Sequence, residues 1–377
     1  MTAGAVLLFL VTEDWYFASH RLPLAVDAGK AGYQVVVATR VRSHGDRISK
    51  RGIRVIDFDL GRRFINPLTE IMVLWRLVRL YAHERPAVVY HVGMKPVVYG
   101  SLAARIAGVA ARVNAIAGLG YVFTSRRLKA KFLRPFLKTA LRILLRGGKS
   151  RVIVQNRDDQ RTLSEMMGCD AGNTVLIPGA GVDLDQFQPT DELSGNPVVL
   201  FASRMLWDKG VGDFVSAAER LRKKGVGARF VLVGAPDEGN PSSVPLAQIE
   251  TWQRTGLVEW WGRRDDMPSV FAGSHLVCLP SYYGEGIPKV LIEAAASGRA
   301  IVATDIPGCR DIVHHEVNGL LVQPHDVGAL ATAMAMLVGN TELRRAMGAA
   351  GRRIAEAEYG LVSINRQSLA VIKAVAG

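Results

Sequence analysis

The sequence predicts an α/β protein built from two doubly wound, Rossmann-like domains. Three observations point to two doubly wound domains. The chain has 377 residues, enough for about two domains. Short apolar runs of strand length alternate with helical patterns from one end to the other, as parallel sheets with helices on both faces require. Hydrophobic residues make up 49% of the chain, ample for packed cores, yet no apolar run reaches the roughly 18 residues of a membrane-spanning helix.

The first run, residues 5–11 (Ala5-Val6-Leu7-Leu8-Phe9-Leu10-Val11), is too short to span. It lacks the positive flank and cleavage site of a leader and reads as a buried strand. Strand-like runs follow at 34–39, 53–57, 87–91, 111–116, 151–154 and 174–177. Residues 183–197 are polar and include Pro189, Gly195 and Pro197, the composition of a linker. A second series begins at 198–202 and continues at 229–233, 275–279, 300–303 and 319–322. The expected domains are 1–185 and 195–360, with a last helix near 361–375 that no strand follows.

Composition narrows the function classes. Cys169, Cys278 and Cys309 are scattered, without metal or redox spacing, and suggest a reducing compartment. The net charge of +13 is confined to one half: residues 1–190 hold 28 Lys+Arg against 14 Asp+Glu, and the remainder 19 against 20. An excess on one half points to a partner that this half alone meets. Residues 125–151 carry ten Lys/Arg and no acid, with Leu128, Phe132, Phe136, Leu137, Leu141, Leu144 and Leu145 at helical spacing. Such a basic amphipathic helix reads as an element for an anionic membrane surface. Arg62-Arg63-Phe64-Ile65, with the apolar helix near 69–82, is a weaker companion. No nucleic-acid signature accompanies the charge, so no nucleic-acid partner is expected.

The most informative stretch is Gly284-Glu285-Gly286-Ile287-Pro288-Lys289-Val290-Leu291-Ile292-Glu293. Pro288 suits a first helical position, Ser297-Gly298 ends the helix, and Ala300–Ala303 reads as the next strand. Glu285 then lies in a loop at a helix N-terminus, and Glu293 leans back toward that terminus from the second turn. Outward backbone N–H groups around Gly286, Ile287 and Pro288 would hold an anion, and the acids would accept hydrogen bonds from hydroxyls.

This stretch, with Pro280-Ser281-Tyr282-Tyr283 before it and Ala294-Ala295-Ala296-Ser297-Gly298 after it, resembles the E-x7-E signature of retaining, nucleotide-sugar-dependent glycosyltransferases of family four. The resemblance implies a GT-B arrangement over nearly the whole chain: two domains facing a central cleft, and a last helix (361–377) that crosses back to the first. It gives Glu293 the ribose hydroxyls and places Glu285 near the donor sugar. Ser203-Arg204-Met205-Leu206-Trp207-Asp208-Lys209-Gly210 resembles the family's S-R-x-x-x-x-K-G segment, whose cations hold the donor diphosphate. Negative charge grows on the leaving phosphate as the glycosidic bond breaks; Arg204 can fork onto two oxygens, and Lys209 adds a compact charge. Gly234, after Val231-Leu232-Val233, marks where the family passes the nucleotide, and Val258–Arg264 resembles the strand that borders the base.

In the first domain, Asp14-Trp15-Tyr16-Phe17-Ala18-Ser19-His20-Arg21-Leu22-Pro23 resembles the bacterial capsule and O-antigen branch, and differs from relatives with a glycine-rich loop there. His20 is an expected sugar contact on the acceptor side. Lys95, in His91-Val92-Gly93-Met94-Lys95-Pro96, and Tyr121, in Gly118-Leu119-Gly120-Tyr121, sit after two further strands. Many relatives carry a histidine after the latter strand; here that position falls at Ala117 or Gly118, and His91 is the expected catalytic substitute. Asp57-Phe58-Asp59 has the D-x-D form of metal-dependent enzymes but lies far from the donor motif and reads as structural.

The resemblance implies a metal-independent, retaining glycosyltransferase with no resident cofactor. It would move a sugar, of N-acetylhexosamine type, from a UDP-sugar to an undecaprenyl-diphosphate-linked saccharide during surface polysaccharide synthesis. It would work peripherally at the cytoplasmic face of the inner membrane. A UDP-sugar epimerase of the same fold, acting without a lipid acceptor, is the alternative.

Overall fold

The structure is a computed structural model that describes residues 4–61, 66–118, 128–147, 149–167, 173–282 and 286–377. The chain divides into two compact units. One comprises residues 1–180 with 362–377, the other 181–361.

In the first unit the order is β1 (Val6–Glu13), α1 (Asp14–His20), α2 (Leu22–Lys30), β2 (Gln34–Arg40), α3 (Gly45–Ser49), β3 (Arg54–Asp57), α4 (Pro67–Glu84), β4 (Val88–Val92), α5 (Met94–Ile106), β5 (Arg112–Ile116), α6 (Leu128–Leu144), β6 (Ser150–Val154), α7 (Arg157–Met167) and β7 (Thr174–Leu176). Among the described residues these strands form one parallel sheet, ordered β3-β2-β1-β4-β5-β6-β7. Its strands are near-continuous apolar runs because both faces are covered. One face packs Phe9, Val37 and Tyr90 against α1 and α2; the other packs Leu8, Leu10 and Val89 against α4 and α5.

In the second unit β8 (Val198–Ala202) is followed by a single 3₁₀ turn (Trp207–Lys209), α8 (Val211–Lys223), β9 (Arg229–Val233), α9 (Leu246–Arg254), β10 (Glu259–Trp260), α10 (Met267–Ala272), β11 (Leu276–Leu279), α11 (Lys289–Ala296), β12 (Ala300–Thr304), α12 (Cys309–Ile312), β13 (Gly319–Val322), α13 (Val327–Gly339) and α14 (Thr341–Glu358). The described sheet is parallel, ordered β10-β9-β8-β11-β12-β13. The last helix, α15 (Leu361–Ala376), returns to the first unit. There Ile364, Ile372 and Val375 are buried in its core, and the Asn365 amide donates to Asp27 at 2.7 Å.

Segment 183–197, expected as a free linker, is strapped to the second unit. Arg344 makes a two-pronged pair with Glu192, 2.7 Å on each side. Arg352 donates to the Phe187 carbonyl at 2.6 Å, and Arg299 to the Thr190 hydroxyl. Burial alone would raise the Glu192 pKa; the Arg344 bonds and charge, with His275 and Arg345, together outweigh it and hold the carboxyl below its ordinary value. The composition of the segment is that of a linker; three arginines from later in the chain decide its place.

Candidate functional site

A doubly wound sheet binds ligands beyond the carboxyl ends of its strands, where the strand order reverses. In the second unit the reversal lies between β8 and β11. The loop after β8 carries Arg204 and Lys209, and the loop after β11 leads into the two-acid segment.

These two loops touch. The Tyr282 N–H donates to the Asp208 carbonyl at 3.0 Å. Gly210 has φ +77°, and a Cβ on it would stand 1.9 Å from the Pro280 carbonyl oxygen. Only glycine permits both that backbone angle and that approach. Gly234 does the same on the other side: φ is +133°, and a Cβ would meet the Ser203 carbonyl oxygen at 1.8 Å. The Gly234 N–H donates to Gly262 at 2.7 Å, and the Trp260 indole donates to the Gly234 carbonyl at 2.8 Å. So Gly234 and the 258–264 segment, separate expectations in sequence, are joined by hydrogen bonds beside the cation loop.

Arg204 donates from Nη1 to Asp237 Oδ2 at 2.7 Å. Lys209 ends the 3₁₀ turn, its N–H given to the Leu206 carbonyl at 3.0 Å. Pro288 is the residue before α11 rather than its first residue, which is Lys289. Gly286, Ile287 and Pro288 are buried. Glu293 is 7% exposed and reaches back one turn to Lys289, whose Nζ lies 2.9 Å from Oε1. Lys289 and Asp237 had no role in the sequence reading; the i, i+4 spacing of Lys289 and Glu293 was the signal for the first, and nothing local marked the second. Glu285 and Tyr121 lie outside the described residues.

In the first unit the reversal lies between β1 and β4. His20 ends α1 after β1, its ring stacked on Tyr16 at 4.2 Å. Lys95, on the first turn of α5 after β4, pairs with Glu70 at 3.0 Å and lies 5.3 Å from the centre of the Tyr99 ring. Asp14, unassigned in sequence, is fully buried and accepts the N–H groups of Arg42, Ser43 and His44 at 2.8–3.0 Å. Burial would raise its pKa; the N–H groups of Arg42, His44 and Trp15, with the His44 ring, together outweigh burial and hold it below the ordinary value. Asp57 and Asp59 are likewise tied locally, to the Val41 and Gly61 N–H groups at 3.0 and 2.7 Å.

The expectation for His91 is corrected. β4 extends through Val92, and the pleat turns His91 inward beneath α4 and α5. It is fully buried, and α5 passes so close that a Cβ on Gly100 would meet the imidazole at 2.4 Å. The Asn114 carbonyl oxygen, 2.7 Å from Nδ1, assigns the proton there, leaving Nε2 to accept from the Tyr81 hydroxyl at 3.1 Å. Both ring nitrogens are engaged within the core, so His91 is a structural residue.

Burial, and then Arg112, push the His91 pKa from 6.5 down to about 4 against the opposing Asn114 bond. As pH falls, the unfolded chain takes up this proton first. The associated stability is full above about pH 6.5 and is lost toward pH 4, on the order of 3 kcal/mol. Urea midpoints measured between pH 7 and 4.5 should therefore fall more steeply for the natural chain than for His91→Gln. Equal slopes would exclude His91 as the source.

Two family profiles match. One described as "Glycosyl transferases group 1" covers residues 196–340. One described as "Glycosyl transferase 4-like" covers 6–156. Among similar proteins is the N,N'-diacetylbacillosaminyl-diphospho-undecaprenol alpha-1,3-N-acetylgalactosaminyltransferase of Campylobacter jejuni, 25% identical, with 86% of this chain and 87% of that protein covered. Another is the UDP-Gal:alpha-D-GlcNAc-diphosphoundecaprenol alpha-1,3-galactosyltransferase of Escherichia coli, 25% identical over 72% and 71%. Among solved structures, Anabaena HepE in complex with UDP and glucose superposes with a TM-score of 0.77 at 21% identity, covering 97% of this chain and 99% of that one. At that identity the likeness speaks to the GT-B fold alone.

Proposed function

Because the chain belongs to the glycosyltransferase family that these two profiles describe, we propose that it is a retaining, metal-independent transferase that uses a UDP-sugar of N-acetylhexosamine type. The acceptor is a saccharide on undecaprenyl diphosphate, and the reaction belongs to surface polysaccharide synthesis at the cytoplasmic face of the membrane. The observation that carries the reading is the contact between the Arg204–Lys209 turn and the loop that opens the two-acid segment. The printed names of the Campylobacter and E. coli relatives support the acceptor class, and the UDP-Gal in the E. coli name supports a UDP-sugar donor.

In this reading Arg204 and Lys209 receive the diphosphate and Glu293 the ribose hydroxyls. The bond from the anomeric carbon to the diphosphate oxygen breaks as the acceptor hydroxyl attacks from the same face. The acceptor proton passes to the departing phosphate oxygen. Arg204 and Lys209 meet the growing negative charge in the role a metal ion fills elsewhere. His20 and Lys95 remain the acceptor-side candidates, and Glu285 stays assigned to the donor sugar. The test is purified protein with a panel of UDP-sugars and lipid-linked saccharides, with and without EDTA. Sugar transfer with retained configuration, undiminished by EDTA, is expected. Conversion of a UDP-sugar without any lipid would favour an epimerase, and loss in EDTA restored by Mn²⁺ would overturn metal independence.

A membrane-bound acceptor calls for a membrane-facing surface, for which the basic segment 125–151 and its weaker companion, the apolar helix near 69–82, were the expectation. In α6, Leu141 and Leu144 turn into the core, as does Leu145 just beyond it, leaving Phe136 and Ile143 exposed. On α4, Leu68, Ile71, Met72 and Trp75 are each more than half exposed, at i, i+3, i+4 and i+7, with the Arg79 guanidinium 4.1 Å over Trp75. α4 packs on α5, and α5 on α6. In the proposed docking, α4 inserts its apolar row while the basic groups of α6 meet anionic headgroups. Among the described residues no helix is long and apolar enough to cross a membrane. Flotation with anionic liposomes should show binding that weakens with salt and drops at least tenfold in Leu68→Ser/Trp75→Ser. Undiminished binding of that variant would remove α4, and equal binding to neutral vesicles would remove the electrostatic part.

A further inference from the structure

The cation turn is gripped by a loop that no reading so far uses. Residues 235–244, between β9 and α9, wrap the turn along its length. Met205 donates its N–H to the Ala235 carbonyl at 3.0 Å, and Trp207 to the Ser242 carbonyl at 2.8 Å. The Asp208 N–H meets the Ser242 hydroxyl at 3.1 Å, and the Val244 N–H returns to the Met205 carbonyl at 2.9 Å. The loop also braces itself. The Asp237 N–H donates to the Ser243 hydroxyl at 3.0 Å, the Asn240 N–H to the Asp237 carbonyl at 3.0 Å, and the Ser242 N–H to Asn240 Oδ1 at 3.0 Å.

At the tip of this brace the Asp237 side chain is 11% exposed against 42% for Arg204, and it takes one guanidinium N–H at 2.7 Å. A guanidinium carries five donors in one plane. A braced carboxylate on one of them fixes the orientation of that plane. As a stabilising contact, a pair this open to water is worth little, about 0–1 kcal/mol. As a means of fixing a cation before an anion arrives it is worth more, since a preorganised donor avoids reordering when the charge appears. The Asn240 amide donates to the same Oδ2 at 3.4 Å.

We propose that Asp237 is a positioning residue that aims Arg204 at the donor diphosphate, with the 235–244 loop as its rigid mount. This rests on the diphosphate reading of Arg204, so UDP itself is the probe. In titration calorimetry of the full chain, Asp237→Asn should weaken UDP about tenfold with an unfolding temperature close to that of the natural chain. Asp237→Glu, which restores the charge on a longer arm, should recover part of the affinity. In Arg204→Ala, adding Asp237→Asn should cost nothing further, because the aimed group is gone. Unchanged or tighter UDP binding in Asp237→Asn would overturn the proposal, as would losses that add in the double variant. Failure of the natural chain to bind UDP would instead remove the donor reading itself.

Discussion

Lys209→Ala should lower turnover about 10²–10³-fold while leaving the fold intact, the scale expected when one preorganised group facing transition-state charge is lost. The fold should survive because the turn is held by its backbone. Its Lys209 N–H bonds to Leu206, its Asp208 carbonyl accepts from Tyr282, and its Trp207 N–H is taken by Ser242. None of these contacts uses the Lys209 side chain. The loss should therefore fall on rate, with circular dichroism and the unfolding temperature close to those of the natural chain. Initial rates on the substrate pair found in the panel provide the measurement, and unchanged turnover would remove Lys209 from the diphosphate site.

Gly210→Ala should harm both stability and activity. A left-handed backbone angle costs a non-glycine residue about 1–2 kcal/mol by itself. Here the added methyl would also meet the Pro280 carbonyl oxygen at 1.9 Å and its carbon at 2.6 Å, backbone atoms that cannot rotate aside. The two loops must part, carrying Lys209 away from the segment that begins at Tyr282. Gly225→Ala is the matched control: its φ is +73° and nothing lies within 4 Å of the new methyl, so it bears the angle strain alone. An unfolding temperature several degrees below that of Gly225→Ala, with at least a tenfold loss of activity, is expected. Equal behaviour of the two variants would mean that the loops do not depend on their contact.

Much of the fold was legible because each strand is a buried run bounded by turn residues. The runs expected at 198–202, 229–233 and 319–322 coincide with the strands formed, and the others agree within about two residues at their ends. The cation turn and the helix bearing Glu293 were legible for the same local reason: a strand, a glycine and a helix start follow one another in sequence. His91 was misplaced because the last residue of an expected strand, 87–91, looks the same whether it faces the cleft or the core. The strand runs on to Val92, and the pleat that turns Val89 under α4 and α5 turns His91 there too. The helix near 69–82 reads as the weaker companion of the basic segment because an apolar row at i, i+3, i+4 and i+7 has the spacing of a core face; its exposure is a tertiary fact.

What the sequence by itself determined is the order of strands and helices, the family, and the chemical types at the candidate site: two cations on one loop, and two acids on and before one helix. Those features are local, fixed by hydrophobic period and turn residues within a few positions. The tertiary structure alone decided that Asp237 meets Arg204 across 33 residues and that Arg344 fastens Glu192 across 152. It also decided which helix face meets water. These depend on how distant segments pack, and no local pattern encodes the neighbour a side chain finds when the chain closes on itself.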